Sequence, residues 1–138
     1  MPWYIYALIS AFFAGLVAVF GKIGLRDVDS TVATTVRAVV MAVFLIFVIF
    51  SLGKSSLISQ INGRAFLFII LSGIAGALSW MFYFHALKQG NVAGVQTVDR
   101  LSILFSVILA AIFLGEALTF KTILAVLFVL AGAVLMII

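Results

Sequence analysis

Charge is scarce in this chain. Eight Lys and Arg plus four Asp and Glu, twelve in all, make up 9% of its 138 residues, against roughly a quarter in an ordinary globular domain. A soluble fold of this size needs a polar surface, and so few charged side chains cannot supply one. Soluble enzymes, disordered tails and nucleic-acid modules are excluded on that ground. Cysteine is absent altogether. Its absence removes disulfide scaffolds, thiolate metal sites, haem attachment and catalytic thiols. The single histidine leaves no metal-ligand cluster and no Ser/His/Asp set that could converge, and no glycine-rich phosphate loop precedes a helix. Nothing in the sequence points to an enzyme or to a cofactor.

What is present is apolar. Hydrophobic residues account for 67% of the chain, and the mean hydropathy is +1.44. A transmembrane helix takes about 20 apolar residues, so the chain has room for five or six spans and no separate soluble domain. The net charge of +4 comes from Lys and Arg scattered singly. That pattern suits loops lying against anionic lipid headgroups and does not make a nucleic-acid footprint. The N-terminus, Met1-Pro2-Trp3-Tyr4, has no basic stretch and no small-residue cleavage site, which predicts a retained first span rather than a removed signal.

Polar and Gly/Asn punctuation predicts five spans, at about 3–21, 31–52, 64–88, 92–114 and 120–138. Trp3, Tyr4 and Tyr6 suit an interfacial aromatic belt at the start of the first. Asp29 or Ser30 can cap the second, and Thr119 the fifth. Leu101 to Leu114 is too short to cross alone, so the fourth span must recruit Ala93 to Arg100. The fold class is therefore an all-α integral membrane bundle of five helices. Small residues recur at packing spacing: Ala7, Ala11 and Gly15 on the first helix, Gly73 and Ala77 on the third, Ala125 and Gly132 on the fifth. Such faces let backbones approach closely in lipid, where hydrophobic burial no longer drives association.

Five spans place the termini on opposite faces of the membrane. Loops on the N-terminal face carry Lys54, Arg64 and Lys121, and loops on the other face carry Lys22, Arg26 and Lys88. Orientation by the positive-inside rule requires an asymmetry, and this count is even. Two readings stand. Either Arg37 and Arg100 tip the balance from within their spans, or the chain inserts both ways and pairs antiparallel with itself, making an inverted repeat from one short chain.

Ionisable groups inside a span cost about 2.5–3.5 kcal/mol each on insertion scales and are functional candidates by default. Arg37 lies about 9 Å in from Thr31, and Asp99 about 10 Å in from Val92, on helices that start from the same face. An Arg37–Asp99 pair is geometrically accessible at that depth. Asp99 and Arg100 are neighbours about 100° apart around a helix, so they cannot both point at one partner. Gln96 sits one turn before Arg100. His85, Tyr83 and Trp80 occupy the same end of the third helix. They serve either as aromatic and hydrogen-bonding walls of a vestibule or as packing and interfacial anchors. Glu116 is expected at the opposite interface, favouring the start of the fifth helix. With no ring of like charge and no filter-like segment, a carrier fits better than a channel.

The segments YFHALKQGN (Tyr83 to Asn91), VQTVDRLS (Val95 to Ser102) and LGEALT (Leu114 to Thr119) resemble the EamA family of the drug/metabolite transporter superfamily. The closer likeness is to its branch of single five-helix chains. The early segment KIGLRDVDSTVATTVRA, which contains Arg37, is similar as well. The resemblance implies half of an inverted-repeat transporter for a small organic metabolite or drug-like solute. It further implies alternating access and an antiparallel homodimer or a paired homologous half, in a prokaryotic cytoplasmic membrane. Related chains carry proline two positions before the residue matching Asp99. Here Thr97 stands in that place, which takes away an expected break at the start of the fourth helix. A non-transporting membrane subunit and a carrier-lipid flippase remain as alternatives.

Overall fold

Long apolar runs bounded by capping residues fold as helices. The computed structural model describes residues 2–138, so Met1 of the N-terminal stretch lies outside the described residues. The helices are α1 (Trp3–Gly24), α2 (Ser30–Ser51), α3 (Gly63–Gln89), α4 (Val92–Asp99), α5 (Ser102–Leu114) and α6 (Phe120–Ile137). No strand occurs among the described residues. Five segments are long and apolar enough to cross a membrane, α4 and α5 together forming the fourth, Val92–Leu114.

Local chemistry sets the helix ends. The Asp29 carboxylate accepts the N–H groups of Thr31 at 2.8 Å and Val32 at 3.2 Å, capping α2. Asn91 accepts from the Gly94 N–H at 2.6 Å and starts α4. Thr119 accepts from the Thr122 N–H at 3.2 Å and starts α6. At the end of α5, Gly115 takes a left-handed conformation (φ 69°, ψ 22°), which a side chain would strain. The connection after α2 turns at Gly53, also left-handed at φ 65°, and contains a short 3₁₀ helix, Ser55–Gln60.

The fourth span departs from the expected continuous helix. It is interrupted at Arg100 and Leu101, although Thr97 replaces the proline that would ordinarily explain a break. The Leu101 N–H, which in an unbroken helix would reach Thr97, donates to Val98 at 2.9 Å. The Ile103 N–H goes to Arg100 rather than Asp99, at 3.1 Å, and the Leu104 N–H goes to Leu101 at 3.0 Å. These are the i→i−3 bonds of a 3₁₀ turn. One turn earlier, the Thr97 hydroxyl donates to the Ala93 carbonyl at 2.8 Å, a back-bond that bends helices.

The chain divides into two units. In the first, residues up to Phe20 together with Gln89–Ile138, α4 packs on α6, and Ala18, Val126 and Ala133 are buried. In the second, Gly21–Lys88, the end of α1 meets the end of α3. A Cβ on Gly21 would stand 3.2 Å from the Phe84 ring and 3.3 Å from Leu87, so a side chain there would make those neighbours give by a few tenths of an ångström. Lys22 Nζ donates to the carbonyls of Leu87 (2.7 Å) and Lys88 (3.3 Å), near the C-terminus of α3. A cation is favoured there by the helix dipole. Lys88 Nζ donates in turn to the Val28 carbonyl at 2.8 Å. Most other apolar side chains face outward, as with Phe44 at 62% and Phe113 at 78% exposure. Lipid, not a protein core, is the solvent these surfaces match.

Candidate functional site

The polar residues of the first unit gather where the fourth span is interrupted. Gln96 is held from one side, its amide Nε2 donating to the Ala14 carbonyl of α1 at 3.1 Å. Its amide oxygen faces the next turn and accepts from Arg100 Nη2 at 3.5 Å. Both contacts agree on which way the amide points. Beside this pair opens a cavity of about 640 Å³, lined by Gln96, Thr97, Arg100, Ser102, Ser106 and Gly132 among others. Non-helical backbone at membrane depth is tolerated where it is buried in protein or lines a cavity, and the break lies on this one. Asp99 is half-buried and does not line it. Gln96 and Arg100 were expected from the sequence. Ser102 and Ser106 were not, although hydroxyls four apart in an otherwise apolar run were a legible signal.

In the second unit, Arg37 lies over the Trp80 ring, its guanidinium carbon 3.6 Å from the ring centroid and 5.5 Å from that of Phe84. Trp80 packs edge-on against Tyr83 at 5.3 Å and is tilted against Phe84 at 5.8 Å. The structure thus brings Arg37 and Trp80 together, with Tyr83 in the same aromatic group. His85 is exposed, with Nδ1 3.4 Å from the Ser30 hydroxyl. Arg37 and Asp99 belong to different units. A second cavity, of about 570 Å³, runs between α2 and α3 in this unit.

The small residues are distributed unevenly. Gly73 and Ala77 line the α2–α3 cavity, and Gly132 lines the one at the interrupted span. Ala7, Ala11 and Ala125 are exposed, and nothing lies within 4 Å of a Cβ built on the half-buried Gly15. Among the described residues, no group of three His, Cys, Asp or Glu side chains could hold a metal ion.

Outside the spans, the Asp29 carboxyl is held below its ordinary range, chiefly by the N–H of Val32, then by that of Thr31, with the Lys88 charge adding. The first turn of α2 is therefore tied to an ionised carboxylate.

Comparison with known proteins bears on what these features serve. The profile of the EamA-like transporter family matches residues 1–138, the whole chain. The chain belongs to that family. As an EamA-family chain with five candidate spans, it is a multi-pass membrane protein. A Sinorhizobium protein named "Uncharacterized transporter in cobO 3'region" is 42% identical over 134 residues, covering 97% of this chain and 95% of the relative. No solved structure matches the chain.

Proposed function

We propose that this chain is a secondary carrier that moves a small organic metabolite or drug-like solute by alternating access, as an antiparallel homodimer. The observation that carries the reading is the polar-lined cavity at an interrupted span, in a chain of the EamA-like transporter family. Interrupted helices near the bilayer middle are where carriers of many folds bind their cargo. Arg100, Gln96 and the Ser102 and Ser106 hydroxyls would hydrogen-bond the solute. Asp99, half-buried beside Arg100, is the proposed proton-coupling group. Arg37, Trp80, Tyr83 and His85 are a second set of solute or coupling residues. The small-residue faces pack helices or the dimer. The transporter name of the Sinorhizobium relative supports the same reading and a prokaryotic cytoplasmic membrane.

Three features support the antiparallel dimer: five candidate spans, an odd number; a relative matched over 95% of its own length; and basic loop residues split evenly between the faces. A second, homologous half would fill the same role. Topology mapping with a C-terminal reporter tests it, with both orientations expected in comparable amounts. One fixed orientation in the absence of a partner chain would rule out the homodimer. For coupling, Asp99→Asn is expected to abolish the pH dependence of solute uptake into vesicles. An unchanged pH profile would remove Asp99 from that role.

A further inference from the structure

The α2–α3 cavity has a polarity along its length. At the end nearer the start of α2 stand the hydroxyl residues Thr31, Thr34 and Thr35, and then Arg37. Beyond Arg37 the α2 wall is Ala38, Met41, Ala42 and Leu45, opposite Gly73 and Ala77 of α3. The walls are low at Ala38, Ala42, Gly73 and Ala77, whose side chains are small, and nothing lies within 4 Å of a Cβ built on Gly73 or Gly76. Ala42, Leu45 and Gly73 are exposed, so this part of the groove opens away from the protein. From Arg37 to Leu45 it runs about 12 Å along α2, so an acyl chain laid in it would pass the bilayer middle.

Charge is as unevenly placed as polarity. Arg37 is the only ionisable residue among those lining the groove, and none is acidic. Its guanidinium carbon stands 3.6 Å over the Trp80 ring, and a guanidinium stacked on an aromatic face keeps its edge N–H donors for a further partner. A cation at this depth favours an anionic partner. Planar N–H forks bind phosphate oxygens in bidentate fashion.

We infer that the α2–α3 groove is a binding site for an anionic phospholipid, with its phosphate on Arg37 and one acyl chain along Ala38 to Leu45. The threonine hydroxyls form the polar mouth through which the headgroup reaches the guanidinium. Gly73, Gly76 and Ala77 make room for the chain. Trp80 holds the guanidinium in place and forms the floor beneath the headgroup. A lipid seated here would take Arg37 and Trp80 out of the set of solute residues, and its binding requires only the bilayer. Charge selects the lipid: phosphatidylglycerol brings a net negative headgroup, whereas phosphatidylcholine brings a quaternary ammonium that opposes Arg37.

Trp80 lines the groove and is one of only two tryptophans in the chain, so it can report occupancy. A Trp3→Phe chain is reconstituted in phosphatidylcholine vesicles containing a minor fraction of lipid brominated in the upper half of one acyl chain. That lipid is phosphatidylglycerol in one set and phosphatidylcholine in a matched set. Brominated phosphatidylglycerol is expected to quench Trp80 as if enriched about fivefold at the groove, the preference one basic residue confers beside anionic lipid. Arg37→Gln should bring the preference to unity, and Arg37→Lys should keep part of it. Ala42→Phe, which fills the groove away from the charge, should lower quenching by both lipids and keeps the test decisive if Arg37→Gln does not fold. Equal quenching by the two lipids in the parent chain overturns the proposal, as does a preference that survives Arg37→Gln. Weak quenching by both lipids, with disulfide capture between two copies carrying Ala42→Cys, also overturns it, because a second copy then covers the groove.

Discussion

Replacing Gln96 by glutamate changes one atom and reverses the chemistry of one contact. In the native chain the Gln96 amide donates to the Ala14 carbonyl at 3.1 Å. In Gln96→Glu an ionised carboxylate oxygen faces that carbonyl instead, acceptor against acceptor. Losing a neutral hydrogen bond costs about 1 kcal/mol, and leaving a part-buried acceptor without a donor adds about 1–3 kcal/mol. Arg100 opposes this, because the other oxygen lies 3.5 Å from its guanidinium. Arg100 is exposed, however, and an exposed ion pair contributes only about 0–1 kcal/mol. The repulsive contact wins by about 2 kcal/mol, a shift of roughly 30-fold in the folding equilibrium. Gln96→Leu removes the same bond without adding the repulsion and should cost about 1 kcal/mol. The two variants differ in a second way. Protonation gives glutamate a donor again, so the deficit of Gln96→Glu relative to the native chain should shrink as the solution is acidified. The deficit of Gln96→Leu should stay constant. Reversible unfolding in mixed detergent micelles at several pH values measures both. If Gln96→Glu is no less stable than Gln96→Leu at neutral pH, or if the gap between them ignores pH, the tether from α4 to α1 is not what holds this part of the site.

Two further outcomes concern the helix ends. The Asp29 carboxyl is held below its ordinary range, so its stabilisation is complete above the usual carboxylate value near 4 and is lost as pH falls through the lowered one. Asp29→Asn keeps a capping oxygen but should flatten that acid-side loss in a melting-temperature series. An unchanged acid slope would show that the ionised carboxylate is not what the first turn of α2 depends on. Gly115→Ala meets no neighbour within 4 Å, so its cost should be the backbone term alone, about 1–2 kcal/mol for a side chain at positive φ. Stability equal to that of the native chain in micellar unfolding would contradict the left-handed turn.

The helical, membrane-spanning architecture was legible because it rests on run length and punctuation, both local properties. Asp29 and Thr119 cap the helices where side-chain chemistry allows, and Gly115 ends α5 where a left-handed residue is needed. The interruption at Arg100 and Leu101 was not legible, since neither residue is a helix breaker. It arises from a shift of backbone bonds from i−4 to i−3, and composition does not record that shift. The site was legible in part. Gln96 and Arg100, one turn apart, share a helix face and meet. Arg37 and Trp80 were each singled out, but their stacking depends on the rotation of two helices about their axes, which periodicity alone leaves open. Ser102 and Ser106 line the cavity, but a serine in an apolar helix can equally bond its own backbone, so residue type alone does not assign it to a site.

The interrupted fourth span also divides the cavity between a tethered part and the part beyond the break. α4 is fastened to α1 through Gln96 and packs on α6, whereas α5 begins after a joint closed by only a few 3₁₀ bonds. Gln96 and Arg100 stand on the anchored side, and Ser102 and Ser106 on the far side. Bending at this joint requires Leu101 and Ile103 to exchange carbonyls one residue apart, a small rearrangement compared with moving a whole helix. A pivot there would widen or narrow the space between the two sets of polar groups. In the proposed carrier, grip on the solute and opening of its path would then be one motion, with the pivot inside the candidate site.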